Sequence, residues 1–293
     1  MNRLKSRAPA KVNLTLRVLD KRTDGYHDLV SLVAFADVGD ELVLAPGESL
    51  DLRLMGPNAA AMAAASENLV LKAARALAER IKGIALGRFE LTKNLPVASG
   101  LGGGSADAAA ALRLLAEANH LALDDPRLIA AARAAGADTP VCLESKARLV
   151  TGIGERLSAP LRLPSLPAVI VFPGEPLATA AVFEIYDEVG MESLSGNVAD
   201  HPESGAIPLE RHPFIAFLNT QTNDLAHSAR HLMPEIATVE ERLHGTEGVR
   251  LVRMSGSGSS VFAIYEETAL AEKAAKEIDA RHSDWWVKAT TLR

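Results

Sequence analysis

One cysteine, few aromatics, no cluster of basic residues and no membrane-length apolar run: each shortage in this 293-residue chain removes a class of protein. The single cysteine, Cys142, excludes an intramolecular disulfide and any cysteine-rich metal centre. It lies in the apolar stretch TPVCLE, where a buried and inert thiol is expected. No uncharged segment is long enough to cross a bilayer, and the opening MNRLKSRAPAKVNL has no apolar signal core. A cytoplasmic protein without a membrane partner is the expectation. A formal charge of −6 with no basic run argues against nucleic acid as the main partner. No His/Cys/Asp cluster has the spacing of metal ligands. Aromatics make up only 4% of the chain, so alanine and leucine carry most of the 48% apolar content, enough for two ordinary domains or one large one.

Residues 12–19 (VNLTLRVL) alternate, with Val12, Leu14, Leu16 and Val18 on one face and Asn13, Thr15 and Arg17 on the other. That period predicts a half-buried strand, with Lys11 on its polar side. The Asp24-Gly25 pair signals a turn, and two strand-like runs follow within 29–44. Apolar recurrence predicts a helix over 68–83 stopped by Gly83, and alternation predicts a short strand over 88–95. An Asp cap, Pro126 and Gly136 delimit a helix at 124–136. Three prolines within 160–167 read as a linker. Beyond it come a strand at 168–172, helices near 179–189, 223–232 and 234–244, strands at 249–254 and 260–265, a helix at 267–281 and a last strand near 285–292. Residues 190–212, polar and proline-containing, read as a loop. The order is mixed α+β without repeats.

The segment SGLGGGSADAA (99–109) has four glycines in five positions before an alanine-rich helical pattern running to about Leu121. Glycines ahead of a helix start let backbone N–H groups converge on an anion, and phosphate is the natural occupant. Ser105 adds a hydroxyl and Asp107 a carboxyl that would help hold magnesium. Walker A is excluded, because no lysine follows Gly104. A dinucleotide fingerprint is excluded too, since Ser105 occupies the place of its third glycine and the βαβ context is missing.

PVASGLGGGSADAA (96–109) resembles the phosphate loop of the galactokinase, homoserine kinase, mevalonate kinase and phosphomevalonate kinase superfamily, which binds ATP without a Walker motif. PAKVNLTLRVLDKRTDGYHDL (9–29), GADTPVCL (136–143), GIGE (152–155), NDL (223–225) and MSGSGSSVF (254–262) extend the resemblance over nearly the whole chain. Their order matches one branch, whose acceptor is a cytidine diphospho-sugar alcohol of the non-mevalonate isoprenoid route.

The resemblance implies an α+β fold in two domains: a ribosomal-protein-like N-terminal domain (1–158) binding ATP and a ferredoxin-like C-terminal domain (159–293) on the substrate side, with the active site in the cleft between. It assigns catalysis to Asp138, as base or orienting group for the acceptor 2-hydroxyl, and to Lys11 as its electrostatic partner. ATP would lie on Pro96, Val97, Ala98, Ser99, Gly100, Leu101, Gly102, Gly103, Gly104, Ser105 and Ala106. Asn68 would either contact adenine or merely cap its helix. Asn13, Tyr26, His27, Thr179 and Phe183 would bind the acceptor, with Tyr26 and Phe183 sandwiching the cytosine. Mg2+ would arrive with ATP, held chiefly by its phosphates. Relatives carry a second hydroxyl where this chain has Ala106, so Ser105 and backbone amides must serve alone. SGSGSS (255–260) would border the ligands or simply turn a hairpin. A monomer or weak homodimer is expected. A different superfamily kinase is disfavoured by KRTDGYH, a non-catalytic sensor by the presence of both Lys11 and Asp138, and a dinucleotide oxidoreductase by the loop spacing.

Overall fold

The computed structural model describes residues 3–63, 68–189 and 206–293. The chain forms two compact units that interleave in sequence: Met1–Lys11, Val38–Val97 and Gly102–Ser145 make the first; Val12–Asp37, Ala98–Leu101 and Lys146–Arg293 make the second.

In the first unit, strand β4 (Asp51–Met55) runs parallel to β5 (Leu86–Thr92), which pairs antiparallel with residues 41–47 of the long strand β3 (His27–Gly47). Among the described residues five helices accompany this sheet: the short α1 (Ala59–Ala63), α2 (Leu69–Arg80), α3 (Gly103–Ala118), α4 (Pro126–Ala135) and the single turn α5 (Thr139–Cys142). Helix α2 packs on both α3 and α4. Helix α3 is enclosed on all sides by small residues: Ala108, Ala109, Ala110 and Ala111 are fully buried, and side chains this small let neighbouring helices approach closely. Helix α4 opens with Asp125 accepting the Arg127 N–H and ends at Gly136, as the sequence predicts.

The second unit holds the short strands β6 (Arg148–Gly152) and β7 (Arg156–Leu157) and a β-α-β-β-α-β core. Strand β8 (Leu166–Phe172) is followed by helix α6 (Thr179–Val189), strands β9 (Val249–Met254) and β10 (Val261–Tyr265), helix α10 (Thr268–Arg281) and strand β11 (Trp286–Leu292). The spatial order is β11-β8-β10-β9, antiparallel throughout. Numbered within the unit, this is 4-1-3-2, the ferredoxin-like arrangement. Every residue of β8 is buried, which explains its continuous apolar run rather than alternation. Helices α8 (Ala226–Leu232) and α9 (Glu235–His244) cover the apolar face through Ala229, Ile236, Val239 and Leu243.

Three local readings differ from the sequence expectation. The first strand, β1, covers Leu4–Asn13, and after a break the chain resumes as β2 (Arg17–Lys21). Lys11, Asn13 and Thr15, read as a wet polar face, are buried along with Val12 and Leu14. The two runs within 29–44 are one strand, because Ala34, Ala36 and Gly39 continue the extended backbone without a turn. Helix α7 (Arg211–Asn219) stands partly where the loop was expected. Pro213 lies in its first turn, where no N–H is needed, so the proline is compatible with helix rather than a sign against it. Residues 190–205 of the expected loop lie outside the described residues.

Candidate active site

Helix α3 begins at Gly103 with Gly102 as its N-cap, left-handed at φ +60° and supplying no side-chain cap. Its first bond runs from the Ala106 N–H to the Gly102 carbonyl (2.9 Å), so the N–H groups of Gly103, Gly104 and Ser105 have no partner within the helix. Three donors at the positive end of a 16-residue helix fit a phosphate group.

The glycines themselves answer to the protein's own packing. A Cβ on Gly100, left-handed at φ +78°, would stand 2.4 Å from the Gly258 carbonyl oxygen; on Gly102 it would stand 3.0 Å from the Lys11 Cβ and Cε. Close approach is required, as the sequence implies, but the approaching groups are a neighbouring turn and the Lys11 stem. The case for phosphate therefore rests on the unbonded amides. Ala106 is buried, the first residue of the segment to enter the α3 core.

Behind the loop lies a buried ionic chain. Asp40 Oδ1 accepts the N–H groups of Asn94 (2.6 Å) and Leu95 (2.8 Å), and its Oδ2 accepts from Lys93 Nζ (2.6 Å). Lys93 Nζ also donates to Asp107 Oδ2 (2.7 Å). Both carboxyl groups are wholly inaccessible. The chain thus fastens both ends of the 94–107 segment. Asp107, read as a magnesium holder, is instead turned into the interior against Lys93, and its Oδ1 is buried without a partner. Burial, with the Asp40 charge adding to it, pushes the Asp107 carboxyl up to about 8 against the pull of Lys93. Burial opposes the Lys93 ammonium, but Asp107 and Asp40 outweigh it and hold that group above its ordinary value. None of this was legible in the sequence, because Asp40 and Lys93 are 53 residues apart.

Asp138 stands at the N-cap position of α5, yet its side chain makes no capping bond. Its Oδ2 is 2.8 Å from Lys11 Nζ; the lysine side chain is 7% exposed and the carboxylate 41%. The two predicted catalytic residues are brought together, with the carboxylate accessible and the cation largely enclosed. Cys142, one turn further, is buried, and burial pushes its thiol up to about 12, in keeping with an inert role.

Asn13 donates through Nδ2 to Ser31 Oγ (2.7 Å), and its N–H donates to Ser255 Oγ (3.1 Å). The SGSGSS turn therefore meets Asn13, and it also meets the start of the glycine loop, since the Ser260 N–H donates to the Ser99 carbonyl (3.2 Å). Thr179, at the start of α6, is 2.8 Å from Ser257 Oγ through its hydroxyl. Asn223 of the NDL motif holds this turn by donating to the Met254 and Gly256 carbonyls (both 2.8 Å). Glu155 of GIGE accepts the Ile153 N–H (2.7 Å), a local turn. Asn68 caps α2 through the Val70 N–H (2.9 Å), which leaves its amide nitrogen for another partner.

His27 is buried. Its ring stacks on Phe183 (centroids 4.9 Å, 20°) and meets Tyr186 edge-on at 6.1 Å, while Nε2 lies 2.8 Å from Asp187 Oδ1. Lys21 Nζ donates to the other oxygen of Asp187 (2.5 Å). Burial works to raise the Asp187 carboxyl, but the bonds from Lys21 and His27 outweigh it and leave it below its usual value. Phe183 thus faces His27, and Tyr26 is 62% exposed. Asp187 was missed in the sequence because one carboxylate on a polar helix end carries no signal by itself.

The comparisons fit these observations. A model of the GHMP kinases N terminal domain matches residues 68–146, which contain the glycine loop and Asp138, and a model of the GHMP kinases C terminal matches 214–284. A 4-diphosphocytidyl-2-C-methyl-D-erythritol kinase of Rhodopseudomonas palustris is 52% identical, covering 99% of this chain and 97% of its own. One from Xanthobacter autotrophicus is 51% identical with full coverage of both. The chain belongs to the 4-diphosphocytidyl-2-C-methyl-D-erythritol kinase family of the GHMP kinases. It is an ATP-dependent small-molecule kinase. A crystal structure of 4-(cytidine 5'-diphospho)-2C-methyl-D-erythritol kinase matches with a TM-score of 0.79 at 35% identity, covering 99% of both chains. L. major mevalonate kinase, at 16% identity and a TM-score of 0.69, shares the fold. Among the described residues no helix is long and apolar enough to cross a membrane.

Proposed function

We propose that this kinase transfers the γ-phosphoryl group of ATP to the 2-hydroxyl of 4-diphosphocytidyl-2-C-methyl-D-erythritol, in the non-mevalonate route to isoprenoid precursors. The observation that carries the reading is Asp138: a residue at a helix cap whose carboxylate is accessible, unused for capping and 2.8 Å from an enclosed lysine. The acceptor oxygen forms a bond to the γ-phosphorus, the bond from that phosphorus to the β–γ bridging oxygen breaks, and the hydroxyl proton passes to Asp138 or is oriented by it. Lys11 offsets the negative charge of the carboxylate as the triphosphate approaches and stabilises the charge on the moving group.

The amides of Gly103, Gly104 and Ser105 hold phosphate oxygens, with the rest of 96–106 lining the nucleotide and Asn68 offering its amide to adenine. Mg2+ comes with ATP, and when bound it neutralises phosphate charge; no group of three or more His, Cys, Asp or Glu able to hold a metal is present among the described residues. His27, with Nε2 donating to Asp187, presents Nδ1 as an acceptor for the cytosine amino group. Tyr26 is free to stack on the base, Phe183 backs His27, and Asn13 and Thr179 serve the acceptor's polyol and diphosphate. Residues 1–158 are proposed to carry ATP binding and 159–293 the substrate side. The enzyme works in the cytoplasm as a monomer or weak homodimer, without nucleic acid.

Phosphorus NMR of reactions offered the cytidine acceptor, homoserine or mevalonate tests the acceptor. The expected result is a new phosphomonoester on the first, with kcat/KM at least about 10³-fold above the others, because a site built to hydrogen-bond a base rejects acceptors that lack one. Better turnover of homoserine or mevalonate would overturn the substrate.

A further inference from the structure

Lys11 lies at the end of β1 and Asp138 at the start of α5, two elements that share no strand pairing and are 127 positions apart. What holds them in register is visible one turn behind each. Arg113, on the third turn of α3, sends its guanidinium between them. Nη1 donates to the carbonyls of Cys142 (2.8 Å) and Leu143 (3.2 Å), at the end of α5. Nε donates to Ser6 Oγ (3.1 Å), and Nη2 donates to the Arg7 carbonyl, both on β1. A rigid, planar fork is thus bonded on one side to the strand four residues before Lys11 and on the other to the helix four residues after Asp138. The helix that carries Arg113 also begins against the Lys11 stem at Gly102. Phosphate amides, lysine and carboxylate are all referred to a single helix.

We propose that Arg113 is the positioning residue of the Lys11–Asp138 pair: it clamps β1 to α5 and so fixes the carboxylate against the ammonium. This rests on the reading of that pair as the reactive one. Arg113 touches no reacting atom, and its effect passes entirely through the geometry of the pair. Catalytic geometry is sensitive to displacements of about 1 Å, so loosening the clamp acts on turnover rather than on binding.

The test is a cycle of four proteins: wild type, Arg113→Met, Asp138→Asn and the double variant, each assayed with ATP and the cytidine acceptor. Arg113→Met is expected to lower kcat by about ten-fold, with both KM values within two-fold of wild type. In the Asp138→Asn background the same substitution is expected to change the residual rate by less than two-fold, because the group being positioned is already gone. Arg113→Lys, which keeps the charge and the aliphatic packing but not the fork, guards against simple unfolding: it is expected to fall between wild type and methionine in kcat. An equal loss in both backgrounds, a loss confined to KM, or wild-type kcat in Arg113→Met would overturn the clamp. Wild-type turnover by Asp138→Asn would overturn the pair beneath it, a separate and distinguishable failure.

Discussion

Asp138→Asn loses about 10²–10⁴-fold in kcat, the usual worth of a positioned acid–base group, while its KM for ATP stays within about two-fold. The asymmetry follows from position. The phosphate donors are backbone amides at the start of α3, and an isosteric change at 138 removes none of them. The side chain is half exposed and caps no helix, so the fold tolerates the amide, and the melting temperature should move by only a few degrees. What goes is the charge that faces Lys11 and the lone pair that meets the acceptor proton. Lys11→Met is expected to lower kcat on a similar scale, because the carboxylate then confronts the triphosphate with no cation beside it. Steady-state rates over both substrates, with thermal melts alongside, read all of this. An unchanged kcat in Asp138→Asn would contradict the mechanism.

Lys93→Met has the largest expected effect on stability. It strips the cation shared by Asp40 and Asp107 from two carboxyl groups with no solvent access, and breaking a buried pair in this way costs about 3–5 kcal/mol. For a chain of this size that corresponds to a fall in Tm on the order of 10 °C. Asp107→Asn behaves differently. The carboxyl of Asp107 is pushed up to about 8 in the folded protein and titrates near 3.9 when unfolded, so the native state holds the extra proton between those values. Stability from this site is therefore full below the unfolded value and lost as pH rises towards 8. Relative to wild type, Asp107→Asn should gain stability from pH 5 up to about pH 8 and level off above it. Urea denaturation at pH 5, 7 and 9 measures the difference, and a constant or inverted gap would show that Asp107 is ionised throughout. Because Lys93 ties the end of the glycine loop to the sheet, Lys93→Met should also weaken ATP binding at temperatures where it remains folded.

The parts of the fold that were legible in the sequence are those set by local chemistry. Asp125, Pro126 and Gly136 delimit α4 through caps that act within a few residues. The glycine loop and its helix are visible because their spacing is itself the signal. Alternation misled where burial is two-sided: Lys11 and Asn13 looked like the wet face of a strand and are instead enclosed. Arg211 and His212, the end of the segment read as a loop, instead open α7. For the candidate site, the motifs singled out Lys11, Asp138 and His27, whereas the groups bonded around them carried no local signal. Arg113, Asp40, Lys93 and Asp187 act through partners dozens to more than a hundred residues away, and no local pattern distinguishes a surface arginine from one holding four groups. Phe183, expected to sandwich the base opposite Tyr26, instead stacks on His27, whose Nε2 is held by Asp187 on the next turn of α6.

The central claim is that the free amides at the start of α3 grip the phosphates of ATP beside an acceptor-facing carboxylate. Amide chemical shifts followed during titration with the non-hydrolysable β,γ-imido analogue of ATP test it directly. The account predicts that the Gly103, Gly104 and Ser105 resonances move together and saturate with one binding constant, in wild type and in Asp138→Asn alike. Saturation of the protein with those three resonances unmoved would contradict it.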